Sequence, residues 1–184
     1  MIKLVIASAL TLAAFSASAQ MYGELGYTSA KYEENLYGVK NLYGSRAESS
    51  PSAIRGVLGL EINPNLAIEG MVGLGMGDDK LTSNGPTATG KKMAIDSILG
   101  LYVKPKFMLG PDLEGFVRVG FAQSKRSISG NGEQWTANES SFSYGMGFSY
   151  ALNPKTSLNV DYMSYLDVDD AKINGLTFGV GYKF

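Results

Sequence analysis

The chain has 184 residues and a formal net charge of −1, and it contains neither cysteine nor histidine. Disulfide bonds and thiol chemistry are therefore excluded, and the usual general base at neutral pH and the commonest metal ligand are absent. The near balance of acidic and basic residues argues against a nucleic-acid partner, which would favour a basic patch. The composition predicts a single domain without a cofactor or a metal site.

The first residues predict export. Lys3 precedes an apolar run of twelve residues, 4–15, which is followed by the small residues Ala17-Ser18-Ala19. This is the order of a cleaved secretory signal peptide. A membrane-spanning helix would need about 20 apolar residues. We therefore predict a signal peptide over residues 1–19 and a mature domain over residues 20–184, beginning at Gln20.

The remaining sequence alternates between apolar and small or polar residues, which is typical of β-strands. In the 66–76 segment one face carries Leu66, Ile68, Gly70, Val72, Leu74 and Met76. The 140–152 segment repeats this pattern with Phe142, Tyr144, Met146, Phe148, Tyr150 and Leu152. Applied to the whole chain, the alternation predicts eight strands, near residues 20–30, 51–62, 66–76, 93–108, 113–124, 140–152, 156–167 and 173–184.

Three short turns of similar chemistry connect pairs of these strands. They are Asn63-Pro64-Asn65, Gly110-Pro111-Asp112 and Asn153-Pro154-Lys155, where proline fixes φ and Asn or Gly tolerates the conformations of a bend. Longer polar connections lie between them, near residues 31–50, 77–92, 125–139 and 168–172. Short turns at one end and long loops at the other indicate an outer-membrane barrel, with the turns in the periplasm and the loops outside.

The predicted fold is all-β, an eight-stranded antiparallel up-and-down transmembrane β-barrel. Closure is required because an open sheet edge in lipid leaves backbone groups unpaired. The apolar face must then point outward. A soluble lipocalin-like barrel is the alternative, but the opposite face is too rich in Gly and Ser to form a coherent soluble surface. Pro105 lacks a backbone donor and is predicted to mark a bulge or the periplasmic rim.

The predicted inward face collects six acidic and four basic residues: Glu24, Arg55, Glu61, Glu69, Asp96, Lys104, Glu114, Arg118, Asp161 and Lys183. An eight-stranded barrel is only wide enough for side chains to fill. We therefore interpret these groups as an ion-pair network that plugs the lumen, with a gated ion path as the alternative. Catalysis is disfavoured because a Ser-His-Asp triad cannot form without histidine, and the sequence contains no motif for a Ser-Lys or Asp-Asp mechanism.

Aromatic residues near the strand ends are predicted to form two girdles at the water–lipid boundaries: Tyr22, Tyr27, Tyr102, Phe121, Tyr144, Phe148, Tyr150, Tyr162, Tyr182 and Phe184. The first long loop repeats a short motif, Asn35-Leu36-Tyr37-Gly38 and Asn41-Leu42-Tyr43-Gly44. Leu36, Tyr37, Leu42 and Tyr43 are candidates for a surface contact. The same residues equally suit a hairpin that continues the flanking strands above the membrane.

The third predicted loop carries Lys125, Arg126 and Trp135. These side chains could contact acidic lipopolysaccharide, and an ordinary solvated loop is the alternative. Because closure leaves no sheet edge that demands a partner, we expect a monomer.

The last strand reads Leu176-Thr177-Phe178-Gly179-Val180-Gly181-Tyr182-Lys183-Phe184. With this strand, the eight-strand pattern and the three short turns, the chain resembles the small outer-membrane barrel superfamily of OmpX, opacity-type proteins and the OmpA membrane domain. The resemblance covers residues 20–184. It implies that Phe178, Val180, Tyr182 and Phe184 form the signal that the barrel-assembly machinery recognises.

The resemblance further implies insertion into a Gram-negative outer membrane, among its lipids and lipopolysaccharide. Members of the superfamily include adhesins, serum-resistance factors, structural proteins and small channels, so the fold does not fix the function. We expect a non-enzymatic protein with a structural or adhesion-like role through its extracellular loops. A narrow porin-like channel for small solutes or ions is the alternative.

Overall fold

A computed structural model describes residues 20–35, 46–80, 82–83, 92–130, 133–168 and 171–184. These segments form eleven strands: β1 (Met21–Asn35), β2 (Arg46–Ser49), β3 (Ser52–Asn63), β4 (Leu66–Gly75), β5 (Asp78–Lys80), β6 (Thr82–Ser83), β7 (Lys92–Met108), β8 (Leu113–Gly130), β9 (Glu133–Ala151), β10 (Thr156–Val168) and β11 (Ala171–Lys183). The predicted signal peptide and the four candidate contact residues Leu36, Tyr37, Leu42 and Tyr43 lie outside the described residues, so both remain predictions.

Eight of the strands close into an antiparallel barrel, which confirms the predicted fold class. Their order around the barrel is β1, β3, β4, β7, β8, β9, β10 and β11. The last strand pairs with the first over thirteen residues, from Tyr22 opposite Lys183 to Glu34 opposite Ala171. This pairing removes the sheet edge, as a barrel in lipid requires.

The three proline-containing turns lie at one end of the barrel. At Asn153-Pro154-Lys155, the side chain of Asn153 accepts bonds from the backbone N–H groups of Lys155 and Thr156, both at 2.9 Å. The Asn63 side chain accepts a similar bond from the N–H of Asn65 at 2.8 Å. Side-chain oxygens of this kind satisfy turn N–H groups, so the bends form locally.

The opposite end is more extensively paired than the sequence predicts. β2 pairs with the top of β1, β6 pairs with β2, and β5 pairs with the top of β7. The predicted loop over residues 125–139 is wrong, because β8 and β9 remain paired from Leu113–Tyr150 to Gly130–Glu133. Polar side chains predicted a loop there, but a hairpin above the membrane has no need of an apolar face.

The outer surface carries a continuous apolar belt. Leu25, Leu58, Leu101, Phe121 and Phe178 are among its exposed side chains. The belt ends abruptly at the outside end: on β9, for example, outward Phe142 is followed by outward Ser140, Asn138 and Thr136. An apolar band bounded in this way matches the lipid-facing surface of outer-membrane barrels.

Two bulges change the alternation where the strands approach the extracellular end. One lies in β7 between Ile95 and Ser97, and the other in β10 between Ser164 and Leu166. Pro105 produces no such shift, because Val103 opposite Val119 and Lys106 opposite Phe116 keep the same register. Pro105 instead points outward between two buried lysines, Lys104 and Lys106, close to the periplasmic end.

Candidate functional site

The lumen contains three layers of side chains. Nearest the periplasmic turns is a rim of charged residues, and above it is a buried group that we call the charged layer: Glu24, Arg55, Glu69, Lys104, Arg118 and Asp161. Towards the outside lies a group that we call the apolar layer: Tyr32, Met93, Ile95, Ile98, Met163, Tyr165, Leu166 and Ile173. Each layer draws its members from several strands, because inward positions recur at every second residue.

Arg118 of β8 is the centre of the charged layer, and 0% of its surface is exposed. Its Nε donates to Glu69 Oε2 at 2.5 Å and its Nη2 to Glu24 Oε2 at 2.7 Å. Its Nη1 donates to Asp161 Oδ2 at 2.9 Å. A guanidinium group offers five donors in a fixed plane, so one Arg can join carboxylates from three strands.

The two other cations complete the pairing of these carboxylates. Arg55 makes a bidentate contact with Asp161, at 2.6 and 2.5 Å, and also donates to the hydroxyl of Tyr165 at 3.1 Å. Lys104 lies 3.1 Å from Glu24 and 3.2 Å from Glu69. The network therefore contains three carboxylates and three cations, and its formal charges cancel.

Aromatic rings close the remaining faces of this network. Tyr22 donates its hydroxyl hydrogen to Glu69 at 2.5 Å. The Phe116 ring lies under Lys104 and Arg118, with its centroid 4.2 Å from Lys104 Nζ and 4.6 Å from Arg118 Cζ. Such cation–π contacts strengthen when the cation is removed from water. Taken together, these contacts give the buried charges opposite charges or rings on several sides.

The six charged residues come from six different strands, β1, β3, β4, β7, β8 and β10. The remaining two strands, β9 and β11, place glycines and small residues at the same level. A Cβ atom at Gly147 would approach Phe116 Cζ to 2.6 Å, and one at Gly181 would reach Glu24 Cγ at 3.7 Å. The glycines therefore make room for neighbouring side chains, and water-filled gaps are not their main consequence.

The periplasmic rim is a second ion-pair cluster. Lys106 contacts Glu61 at 2.6 Å and Glu114 at 3.4 Å, and Lys183 contacts Glu61 at 3.4 Å. The rim surrounds a cavity of about 160 Å³ that reaches inward to Glu24 and Lys104. This cavity opens towards the periplasm and ends at the charged layer.

The apolar layer fills the lumen above the charges. Met163, Leu166 and Ile173 are fully buried in it. A Cβ atom at Gly145 would overlap the Sδ atom of Met163, and one at Gly175 would lie 3.0 Å from the Tyr165 ring. Side chains in such close contact pack this part of the lumen tightly.

The structure joins six of the ten predicted interior residues in the charged layer and places Glu61, Glu114 and Lys183 at the rim. Asp96 is the exception. It is exposed and accepts a bond from Ser127 at 2.8 Å. The bulge at Asp96 buries both Ile95 and Ile98, which strict alternation cannot place on one face.

Two predicted girdle aromatics lie inside the barrel instead. Tyr22 contacts Glu69, and Tyr102 bonds to Ser143 at 2.9 Å. Alternation along each strand does predict the inward position of these two tyrosines, because Tyr22 shares a face with Glu24 and Tyr102 shares one with Lys104. The same alternation identifies Lys106, which the prediction omitted. Alternation cannot predict that Tyr165 points inward, since Tyr165 lies within the bulge of β10.

The other predicted girdle residues are exposed on the outer face. So are the residues of the predicted assembly signal, Phe178, Val180, Tyr182 and Phe184. On the β8–β9 hairpin, Trp135 has 75% of its surface exposed. Lys125 is also exposed, whereas Arg126 turns inward, donates to Glu139 at 2.7 Å and lies over the ring of Tyr32.

Within the described segments, no group of three or more acidic residues is placed to hold a metal ion. None of the described residues forms a helix long and apolar enough to cross a membrane.

A closed eight-stranded barrel with an apolar outer belt and a charged interior is a small transmembrane β-barrel of the bacterial outer membrane. A family model described as "Outer membrane protein beta-barrel domain" matches residues 3–184, and the chain belongs to this family. A search of curated protein sequences gives no match.

Several solved structures share the fold. Ail, the attachment invasion locus protein of Yersinia pestis, is 17% identical over 90% of this chain and 99% of its own, with a TM-score of 0.60. Neisserial surface protein A is 17% identical over 91% and 99%, with a TM-score of 0.63. OprG of Pseudomonas aeruginosa is 13% identical over 90% and 95%, also at 0.63. At these identities the similarity concerns the fold alone.

Proposed function

We propose that this chain is a sealed, non-enzymatic surface barrel, which supports the envelope or contacts other surfaces through its extracellular hairpins. The main support is the pairing of Arg118 with three carboxylates in the middle of the lumen. The three carboxylates are paired with cations and are therefore poorly suited to act as catalytic acids or bases. The apolar layer adds a second barrier above them.

The extracellular hairpins support the contact role. At a rise of about 3.3 Å per residue, the seven steps from Gln123 to Gly130 continue past the belt for roughly 23 Å along the strand. The hairpin presents Trp135, a residue type enriched where proteins meet partners. The related fold of a protein named for attachment, Ail, is consistent with this role.

We also propose outer-membrane lipids and lipopolysaccharide as partners, with assembly by the barrel-assembly machinery and a monomer in the membrane. The apolar belt suits acyl chains, and Lys125 is exposed on the outer face just above Phe121. A cation at this level can attract the phosphates of acidic lipids. Arg126 is less suited to this contact because it is already paired with Glu139.

Single-channel recording of the refolded protein in planar bilayers tests the sealed lumen. We expect no discrete conductance from the wild-type protein. Discrete openings whose size changes in the Arg55→Gln or Arg118→Gln variant would overturn the proposal and favour the narrow channel. The observation that favours the narrow channel as a second candidate is the periplasmic cavity that reaches Glu24 and Lys104.

Adhesion of bacteria that display the protein tests the contact role. Deleting residues 36–45 removes Leu36, Tyr37, Leu42 and Tyr43 but keeps the paired residues of β1 and β2. We expect the deletion to leave heat-modifiable folding intact and to reduce adhesion to a surface coated with serum proteins. Unchanged adhesion would reject this loop as the contact site, and Trp135→Ser would then test the β8–β9 hairpin in the same assay.

A further inference from the structure

The periplasmic cavity of about 160 Å³ has two chemically different walls. Glu114 near the start of β8 and Asp112 in the turn before it supply carboxylates to one wall. Lys155 in the turn before β10 and Lys183 at the end of β11 supply ammonium groups to the other wall. Ser149 of β9 lines the cavity between them. The cavity therefore carries carboxylates on its β8 side and ammonium groups on its β10–β11 side.

These charged groups are only partly used inside the protein. The one ion pair of Glu114 is with Lys106, at 3.4 Å, and the one ion pair of Lys183 is with Glu61, also at 3.4 Å. Two further lining residues form no ion pair with any residue that the structure describes: Asp112 and Lys155. Both walls therefore keep charged groups that can contact a bound molecule.

The inner end of the cavity contains a buried polar atom without a partner. Asn159 of β10 is 5% exposed, and its Nδ2 atom has no hydrogen-bond partner among the described residues. The Oδ1 atom of the same side chain accepts a bond from Ser157 Oγ at 3.1 Å. A Cβ atom at Gly181, which lines the cavity, would lie 2.9 Å from Asn159 Nδ2. Because buried donors normally have an acceptor, this atom indicates a place for the oxygen of a bound molecule.

The spacing of the two walls suits a short molecule that carries both charges. Neighbouring strands lie about 4.8 Å apart, so β8 and β10, which flank β9, are separated by about 10 Å at the backbone. Side chains that reach inward from both strands leave room for only a few atoms between them. The whole lining contains four carboxylates and four lysines, so it does not favour a net charge in the ligand. A simple anion or cation would contact only one of the two walls.

We propose that the periplasmic cavity binds a small zwitterion, with an ammonium and a carboxylate group as close together as in an α-amino acid. The ammonium group lies against Asp112 and Glu114. The carboxylate group accepts a bond from Asn159 Nδ2 and lies near Lys155 and Lys183. Since the cavity opens towards the periplasm and ends at the charged layer, the ligand enters and leaves on the periplasmic side. This inference goes beyond the proposed surface-contact function and does not depend on it.

Saturation-transfer NMR on the full chain, refolded in lipid nanodiscs, tests the class of ligand with L-alanine as the probe. Propionate and ethylamine are matched control ligands, since each keeps only one of the two charged groups of alanine. We expect saturable binding of alanine and about tenfold weaker binding of each control ligand. Alanine binding no greater than to empty nanodiscs would overturn the proposal. Propionate or ethylamine binding as tightly as alanine would also overturn it, because one wall would then suffice.

The Gly181→Ala variant tests the location of the site. Its added methyl group would lie 2.6 Å from Ser157 Oγ and 2.9 Å from Asn159 Nδ2, and it therefore occupies the inner end of the cavity. We expect alanine binding to weaken by about tenfold or more, since the carboxylate loses its contact with the amide. The heat-dependent gel shift checks that the variant folds. Unchanged affinity in the folded variant would reject this end of the cavity as the carboxylate site.

Lys155→Glu is a second variant that preserves folding, because Lys155 is exposed in a turn and forms no ion pair with the described residues. It replaces a positive group of one wall by a negative group, so alanine binding should weaken about fivefold. Lys125→Glu makes the same change of charge at the extracellular end and should leave the affinity unchanged. Equal affinities for alanine in these two variants would contradict the proposal, even if Gly181→Ala does not fold.

The outcomes separate this inference from the proposed function. Absence of alanine binding leaves both the sealed lumen and the surface contact standing, because neither depends on a ligand in the periplasmic cavity. Conversely, discrete channel openings would overturn the sealed lumen, while the affinities of the Lys155→Glu and Lys125→Glu variants would still decide whether the cavity binds a zwitterion.

Discussion

The charged and apolar layers fill the same lumen by different physical means. In the charged layer each member depends on its partners, because a buried ion without a counter-ion is strongly unfavourable. In the apolar layer each contact is small and many neighbours share the loss of one side chain. The comparison predicts that the charged layer is sensitive to single changes of charge, whereas the apolar layer is sensitive to changes of volume.

The largest expected effect is in the charged layer. Arg118→Met keeps much of the side-chain volume but leaves Glu24, Glu69 and Asp161 short of positive charge. We expect a loss of about 3–5 kcal/mol in the free energy of unfolding. Urea titration of the refolded barrel in lipid vesicles, followed by the heat-dependent gel shift, measures this loss.

Lys183→Met is the matched control for that experiment. Lys183 pairs with Glu61 at the rim, where its side chain is 41% exposed. Ion pairs that water can reach contribute at most about 1 kcal/mol. An Arg118→Met barrel as stable as the Lys183→Met barrel would contradict the central role of Arg118 in the charged layer.

A change of volume should have the next largest effect, in the apolar layer. Gly145→Ala adds a methyl group that overlaps Met163 and the carbonyl oxygen of Tyr162. Overpacking of this kind costs about 1–3 kcal/mol. Gly70→Ala is the control, because Gly70 faces outward and its added Cβ would have nothing within 4 Å. Equal unfolding free energies for the two alanine variants would show that the apolar layer is loosely packed.

The two layers also differ in how well the sequence predicts them. Charged residues at inward positions stand out from the apolar lipid-facing residues, so Glu24, Arg55, Glu69, Lys104, Arg118 and Asp161 are all identified by alternation. The apolar layer has no such contrast. Met163 and Ile98 have the same chemical character as residues that face lipid, and only the strand register decides which way they point.

The bulges explain most of the remaining differences. A bulge adds one residue to a strand and reverses the parity of everything beyond it. Asp96 is the extra residue of the β7 bulge and lies outside, and at the β10 bulge Tyr165 turns in to meet Arg55. Neither bulge is marked by glycine or proline, so local sequence gives no sign of it.

Apart from the control variants, the smallest effect on the finished barrel is expected at its C-terminus. Phe184 is 66% exposed, and its N–H bonds to the carbonyl of Met21 at 3.0 Å. Its ring meets Tyr182 at a centroid distance of 5.7 Å. Removing Phe184 loses one backbone bond and one aromatic contact at the lipid boundary, so unfolding should become easier by only about 1–2 kcal/mol.

The same deletion tests the predicted assembly signal. If Phe184 is part of the feature that the barrel-assembly machinery recognises, its removal should lower the amount of folded protein in cells much more than it lowers the stability of the refolded barrel. Pulse-labelling with the heat-dependent gel shift measures the first quantity, and urea titration measures the second. Normal assembly in cells would reject Phe184 as a required part of that signal, whereas a stability loss comparable to that of Arg118→Met would assign the terminal ring to the structural core of the barrel.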